Sequence, residues 1–385
     1  MSFKLAEDSV RARIRVVGVG GGGGNAINTM EEHNILGVEF IAANTDVQAL
    51  ENSLADVRLQ IGPKTAKGLG AGANPELGRA SAEESAEEIR KLVKGSDMVF
   101  ITAGLGGGTG TGAAPVVARI CKEEGALTVA VVTKPFIFEG NTRMRNANKG
   151  WEMLKKHVDT IITIPNDRLL SMSGRGTRFI DGMKMADDVL LQAVKGITDT
   201  INLTGYINPD FADVKAIMSE MGTALMGAGQ GVGDNRGTEA VNAAIASPLL
   251  QDVSIEGAKG VLVNISSREE LLSMSEVTEV TSRIYEEVHE DANIILGVIF
   301  DESLGEALRV TVIATGINNE AEVMTDNVTP FMPPRRKTVA QTLPFRESNT
   351  GRTVVNGCRQ RNPFPQTILD EDSLDTPTFI RKNEN

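Results

Sequence analysis

Short apolar runs alternate with amphipathic stretches through the first half of this chain. Residues 14–18, 38–42, 98–102, 127–132 and 160–164 each read as a strand apolar on both faces. Between them the spacing turns helical, over 25–32, 46–51, the strongly amphipathic and acidic 76–93, 113–124 and 140–157. Residues 13–43 make a βαβ opening, and strands separated by helices predict a doubly wound, mainly parallel sheet of the α/β class.

The pattern then lengthens. Met183, Ala186, Val189, Leu190, Ala193, Val194, Ile197 and Ile201 recur at helical spacing and predict one long helix over 179–202, ending near Gly205. A second, smaller α/β unit follows, with helices expected at 212–221, 236–246 and 275–288. Its strands are expected at 260–265, 293–299 and 307–314. After Gly316 the periodicity stops. Half of the 14 prolines lie beyond it, so the segment reads as a disordered linker. The chain thus divides into an N-terminal tail (1–10), a first domain (11–178), a central helix (179–203), a second domain (204–316), a linker (317–366) and a terminal peptide (367–385). The stretch from Leu374 to Lys382 carries a Phe379-Ile380 pair beyond the polar linker, and reads equally as a docking motif or an idle tail.

Composition narrows the class. The 385 residues are 41% hydrophobic, with no apolar run long enough for a transmembrane helix. The first eight residues hold no apolar signal core, so a cytoplasmic location is the expectation. Cys121 and Cys358 form no motif, and His33, His157 and His289 have no metal-ligand spacing. The formal net charge of -12 argues against binding nucleic acid through bulk charge.

Two glycine-dense turns carry the chemistry. Gly18 to Asn25, including Gly20, Gly21, Gly22, Gly23 and Gly24, follows the first strand and opens the first helix. Gly104 to Gly112 holds six glycines in nine residues, among them Gly107, Gly108 and Gly110, with hydroxyls from Thr109 and Thr111. Glycines between strand and helix let backbone N–H groups crowd an anion, and the helix dipole adds to the attraction. A polyphosphate is the expected ligand. Gly18, Gly20 and Gly23 also satisfy a dinucleotide fingerprint. That rival wants an acid at the end of the second strand, where the chain instead reads Ala43-Asn44-Thr45-Asp46, and it leaves the 104–112 turn unexplained. The dipeptide Gly-Lys never occurs, which excludes a Walker A loop.

Polar residues cluster at other strand ends, where doubly wound sheets bind ligands. Asn44 follows the second strand; Pro135, Glu139 and Arg143 follow 127–132; Asn166 follows 160–164. Arg143 suits a phosphate and Glu139 a ribose hydroxyl, with a solvated helix face as the alternative for both. Asn166 and Asp187 suit a guanine edge, because a carboxylate accepts from both of its N–H groups. Asp210 and Asp213, beside Asn208, read either as helix capping or as a carboxylate pair polarising a water. The long helix sets this loop at the far end from the phosphates, so one chain does not easily join the two, whereas a head-to-tail neighbour does.

These motifs resemble one family. The runs at 20–26, 44–46, 68–75, 106–112, 165–167 and 208–214 are similar to those of the tubulin/FtsZ family of GTPases, over about residues 10–316. The resemblance implies a GTPase of bacterial cell division that polymerises head to tail into protofilaments, forming a ring at the division site beneath the inner membrane. It implies GTP or GDP as ligand, with Mg2+ on the phosphates. Gly21, Gly22 and Asn25 would belong to the first loop and Gly108, Thr109 and Gly110 to the second, with Gly72 in the glycine-rich run 68–75. Glu139 and Arg143 would meet ribose and phosphate, and Asn166 and Asp187 the base. Met183 stands where many members carry an aromatic beside the base. Asn208, Asp210 and Asp213 would complete the site of the next subunit, making 204–316 a GTPase-activating domain. The 374–382 peptide would bind membrane-tethering adaptors and division regulators, with no direct membrane insertion and no nucleic acid. A filament protein of the same fold that does not hydrolyse GTP is the other reading.

Overall fold

The computed structural model describes residues 12–172, 176–203, 205–219, 222–250, 257–289 and 291–317. The expected N-terminal tail, the linker beyond 317, Cys358 and the terminal peptide lie outside the described residues. β1 (Ile14–Val19), α1 (Gly20–Glu32), β2 (Val38–Asn44), α2 (Val47–Glu51) and β3 (Val57–Gln60) come first. α3 (Pro75–Glu84) and α4 (Ala86–Val93) lead into β4 (Met98–Gly104), α5 (Thr109–Glu123), β5 (Leu127–Lys134), α6 (Asn141–Lys155), β6 (Thr160–Pro165) and α7 (Asn166–Met172). After α8 (Phe179–Asn202) and α9 (Phe211–Met218) come β7 (Gly222–Gly231), α10 (Arg236–Ile245), β8 (Gly260–Ser267), α11 (Met274–Tyr285), β9 (Asn293–Phe300) and β10 (Leu308–Ile317).

The described strands form one ten-stranded sheet in the order β3-β2-β1-β4-β5-β6-β7-β10-β8-β9. Pairing is parallel from β3 through β7 and again between β8 and β9, while β10 runs antiparallel to both neighbours. The order reverses direction between β1 and β4, the crevice where open α/β sheets bind ligands. Strand residues alternate between two cores. Met98 and Phe100 of β4 pack with α1 and α8; Val99 and Ile101 pack with α4, α5 and α6. That is why the strands read as unbroken apolar runs. Burying each such side chain stabilises the fold by about 1.5–3 kcal/mol. A third cluster joins α10 and α11 to β8 and β10.

Several elements differ from expectation. The amphipathic stretch 76–93 is two helices, because Ser85 leaves helical geometry (φ -101°, ψ 20°) and its hydroxyl accepts from Gly62 N–H at 3.0 Å. α1 and α5 start five and four residues earlier than expected, at Gly20 and Thr109, so both glycine runs supply the first helical turns themselves. β3, α7 and β7 were not expected. β7 holds glycines at 222, 227, 229 and 231, which weaken the strand pattern. A Cβ on Gly227, Gly229 or Gly231 would overlap the carbonyl oxygens of Ala244, Ala240 and Arg236, so these glycines let α10 lie directly on the strand. α8 spans 179–202, as its periodicity predicts.

Candidate functional site

Five parallel strands, β1, β2, β4, β5 and β6, end at one cleft of about 610 Å3, a volume that suits a nucleotide. Two helix N-termini reach it. Gly21, Gly22 and Asn25 of α1, Gly107, Gly108, Thr109 and Gly110 at the start of α5, and Gly104 all line it. Unpaired N–H groups of a first helical turn attract anions, and here two such turns share one cavity. Gly72 lines the same end in the loop between β3 and α3, where Lys67, Gly68, Gly70, Gly72 and Ala73 all have positive φ. Gly21, Gly72 and Gly107 have no protein atom within 4 Å of where a Cβ would sit. A side chain there would enter the cleft.

Four expected ligand residues do not line the cleft. Gly20 and Gly23 are needed for packing: a Cβ on Gly20 (φ 75°) would lie 2.8 Å from Gly110 N, and one on Gly23 would overlap Thr102 O. Gly24 is half-buried and does not line the cleft. Thr111 is buried, and its hydroxyl accepts from Gly106 N–H at 2.8 Å, bracing the loop from behind.

Glu139, Arg143, Asn166 and Asp187 line the same cleft. Glu139 Oε1 accepts from Phe136 N–H at 3.0 Å, and Oε2 accepts from Arg143 Nη1 at 2.6 Å, so the carboxylate positions the one cation in the described lining. Pro135 and Asn44 complete those walls. Asn166 is buried, and its Oδ1 has no hydrogen-bond partner among the described residues. Leaving such an acceptor unpaired costs about 1–3 kcal/mol, which a donor on the ligand would relieve. Asp187 faces the same space from α8, with Met183 and Leu190 one turn to either side. Burial pushes its carboxyl up to about 6, and Asp188 adds to the shift. Two acceptors on one wall suit a base edge that presents two adjacent N–H groups. The acid past β2, Asp46, caps α2, its Oδ1 accepting from Gln48 N–H at 3.0 Å. Among the described residues no three His, Cys, Asp or Glu side chains gather in a metal-binding group.

Asn208, Asp210 and Asp213 are exposed and do not line this cleft. Asp210 Oδ1 accepts from Asp213 N–H at 2.7 Å as the cap of α9, and Asn208 Oδ1 accepts from Gly205 N–H at 2.9 Å. α8 separates them from the cleft. Asn202 Nδ2, at its far end, donates to Leu36 O and Gly37 O just before β2 begins, at the end of the strands opposite the cleft. From Asp187 to Asn202 the helix rises about 22 Å.

Asp46, Ala71, Ala73, Leu105 and Thr133 also line the cleft and were missed. The alternation of glycines at 68, 70 and 72 was the available signal for Ala71 and Ala73.

The comparisons agree along the chain. Residues 13–174 match the Tubulin/FtsZ family GTPase domain, and residues 222–318 match the FtsZ family C-terminal domain. A Cell division protein FtsZ from Coxiella burnetii is 47% identical over 99% of both chains. One from Pseudomonas aeruginosa is 52% identical over 83% of this chain and 81% of its own. Among solved structures, an empty FtsZ dimer from M. jannaschii aligns at TM-score 0.77 with 47% identity, covering 80% of this chain and 89% of that one. The GDP-bound CetZ1 monomer from Haloferax volcanii shares the fold at TM-score 0.69 and 23% identity, covering 80% and 95%.

Proposed function

This chain belongs to the FtsZ family of tubulin-like cell-division GTPases, and we propose that it hydrolyses GTP only where two copies meet head to tail. The observation that carries the reading is the split between cleft and acidic loop, set apart by the roughly 22 Å rise of α8 from Asp187 to Asn202. The cleft holds the nucleotide: phosphates on the α1 and α5 turns, ribose and phosphate at Glu139 and Arg143, guanine against Asn166 and Asp187. The 208–213 loop of the adjoining copy closes over the terminal phosphate. A water oxygen there attacks the γ-phosphorus, its proton passes to a carboxylate, and GDP leaves with the bridging oxygen. Asp210 Oδ1 is committed to its cap, which favours Asp213 as the acceptor, with Asn208 orienting the water.

A heterologous contact that does not close generates a filament. Filaments of this chain would form the ring at the division site in the cytoplasm. The 374–382 peptide would tether them to membrane-bound adaptors and regulators, at a reach set by the linker. Mg2+ would ride on the phosphate oxygens, since the lining carboxylates Asp46, Glu139 and Asp187 gather into no metal-binding group among the described residues; it would offset phosphate charge.

Asp213→Ala tests this. GTP affinity should stay within about twofold while turnover falls about a hundredfold or more. Mixing that variant with a chain whose nucleotide loop is weakened, Gly107→Ala, at a GTP concentration too low to fill the weakened cleft, should restore hydrolysis, because one supplies the cleft and the other the loop. Specific activity should rise steeply above a threshold concentration. Undiminished turnover in dilute monomer, or no rescue at any mixing ratio, overturns the proposal.

A further inference from the structure

The β2–α2 junction contributes a buried hydroxyl that the nucleotide reading does not use. Thr45 is fully buried, and its Oγ1 lies 2.6 Å from Thr109 Oγ1. Neither hydroxyl has another partner among the described residues. Thr109 is the first residue of α5, is partly exposed and lines the cleft. Thr45 O also accepts from Gly70 N–H at 3.2 Å, so this residue touches two of the loops that bound the phosphate end.

The direction of the hydroxyl pair follows from satisfiability. Each hydroxyl carries one proton. If Thr109 donated to Thr45, the Thr45 proton would be buried with nothing to accept it, at a cost of about 1–3 kcal/mol. If Thr45 donates to Thr109, every group is satisfied, because the Thr109 proton turns toward the cleft. A phosphate oxygen accepts and never donates, so it needs that arrangement. Accepting one hydrogen bond also strengthens the bond a hydroxyl donates.

We propose that Thr45 is a positioning residue for nucleotide binding: by donating to Thr109 it fixes the Thr109 hydroxyl as a donor to the phosphate chain. The inference rests on the reading of the cleft as the GTP site. Thr45 would not touch GTP. It would act through Thr109, as a device that makes one rotatable hydroxyl point one way.

A double-mutant cycle on the full chain tests this, with GTP binding at equilibrium and nucleotide-free thermal unfolding as readouts. Thr45→Val keeps the shape and removes the donor; GTP affinity should fall about tenfold with the unfolding midpoint little changed. Thr45→Ser should restore wild-type affinity. Thr109→Val should weaken binding at least as much, and adding Thr45→Val to it should cost nothing further, since the two act as one unit. If Thr45→Val fails to fold, Thr45→Cys, a weak donor of similar size, should give an intermediate loss. Wild-type affinity in Thr45→Val or Thr45→Cys, or losses that add in the double variant, overturns the proposal and leaves the GTP site standing. Wild-type protein that binds no GTP would instead remove the reading beneath it.

Discussion

Replacing Gly107 by alanine separates what the ligand requires of the glycine loops from what the fold requires. Gly107 lies in the β4–α5 turn, and a Cβ built there meets no protein atom within 4 Å, with φ outside the left-handed range. The nucleotide-free chain accommodates alanine without strain. By narrowing the unfolded ensemble the substitution raises stability by about 0.4–1 kcal/mol. The methyl instead enters the cleft and shifts the phosphate chain off the backbone donors. Losing one hydrogen bond to a charged group costs about 1.5–3 kcal/mol, roughly a ten- to hundredfold rise in Kd. Gly112→Ala should do the reverse. Its Cβ would overlap Pro75 O and lie 2.7 Å from Arg79 N, both in the backbone of α3. α3 and α5 must then part, at about 1–3 kcal/mol, or about 2–4 °C of Tm per kcal/mol. Thermal unfolding without nucleotide and equilibrium GTP binding read the two effects separately. Unchanged affinity in Gly107→Ala would show that the phosphates lie elsewhere. A fall in its Tm as large as that of Gly112→Ala would end the division of glycines into two classes.

Two further outcomes are expected. Asp187 must be ionised to accept two N–H groups from guanine, and burial holds its carboxyl at about 6 in the free protein. GTP affinity should be full near pH 7.5 and fall about tenfold per pH unit below 6, with a proton released on binding near pH 6. The terminal phosphate titrates in the same range, so the comparison is with Asp187→Asn, whose weaker binding should lack this component; parallel pH profiles would refute the assignment. Arg236 is buried and donates to Glu276 Oε1 at 2.6 Å and to Glu306 O at 2.8 Å, and also to Leu271 O, tying α10 to the start of α11 and the segment before β10. Arg236→Met leaves those acceptors unpaired and should cost about 3–5 kcal/mol in denaturant unfolding, with GTP affinity unchanged in the folded fraction; a loss under about 1 kcal/mol would contradict the burial argument.

The nucleotide half of the fold was legible because its strands are buried on both faces, so apolar runs and glycine turns alternate without ambiguity. The sheet beyond β6 was harder. β7 was assigned no element because its glycines serve contact with α10 rather than a turn, and no local pattern carries that distance information. Within the glycine runs, sequence could not distinguish Gly21, which borders open space, from Gly23, whose Cβ would overlap Thr102 O. Both are glycine in a strand-to-helix turn; only the packing of β4 behind them separates the roles. Thr45 was passed over for the same reason. Its partner lies 64 residues away, and a buried hydroxyl pair leaves no periodic trace.

α8 ties the site to the rest of the molecule. Its 24 residues present Met183, Asp187 and Leu190 to the nucleotide cleft. Asp188, Gln192, Lys195 and Asp199 line a second cavity of about 270 Å3 against β8 and β10. Successive residues on a helix point about 100° apart, so Asp187 and Asp188 face different cavities although they are neighbours. The second face is anchored: Asn264 Nδ2 of β8 donates to Gly196 O at 3.1 Å, and Lys195 Nζ reaches Asp301 Oδ2 at 3.2 Å. This wall of the cleft, the C-terminal strands and the acidic loop are therefore mounted on one rod. Turning that rod about its axis exchanges which residues face each cavity, but it leaves unchanged the distance along the axis between Asp187 and the loop beyond Asn202. The separation that makes a second copy necessary in the proposed mechanism is thus a property of helix length, not of side-chain conformation.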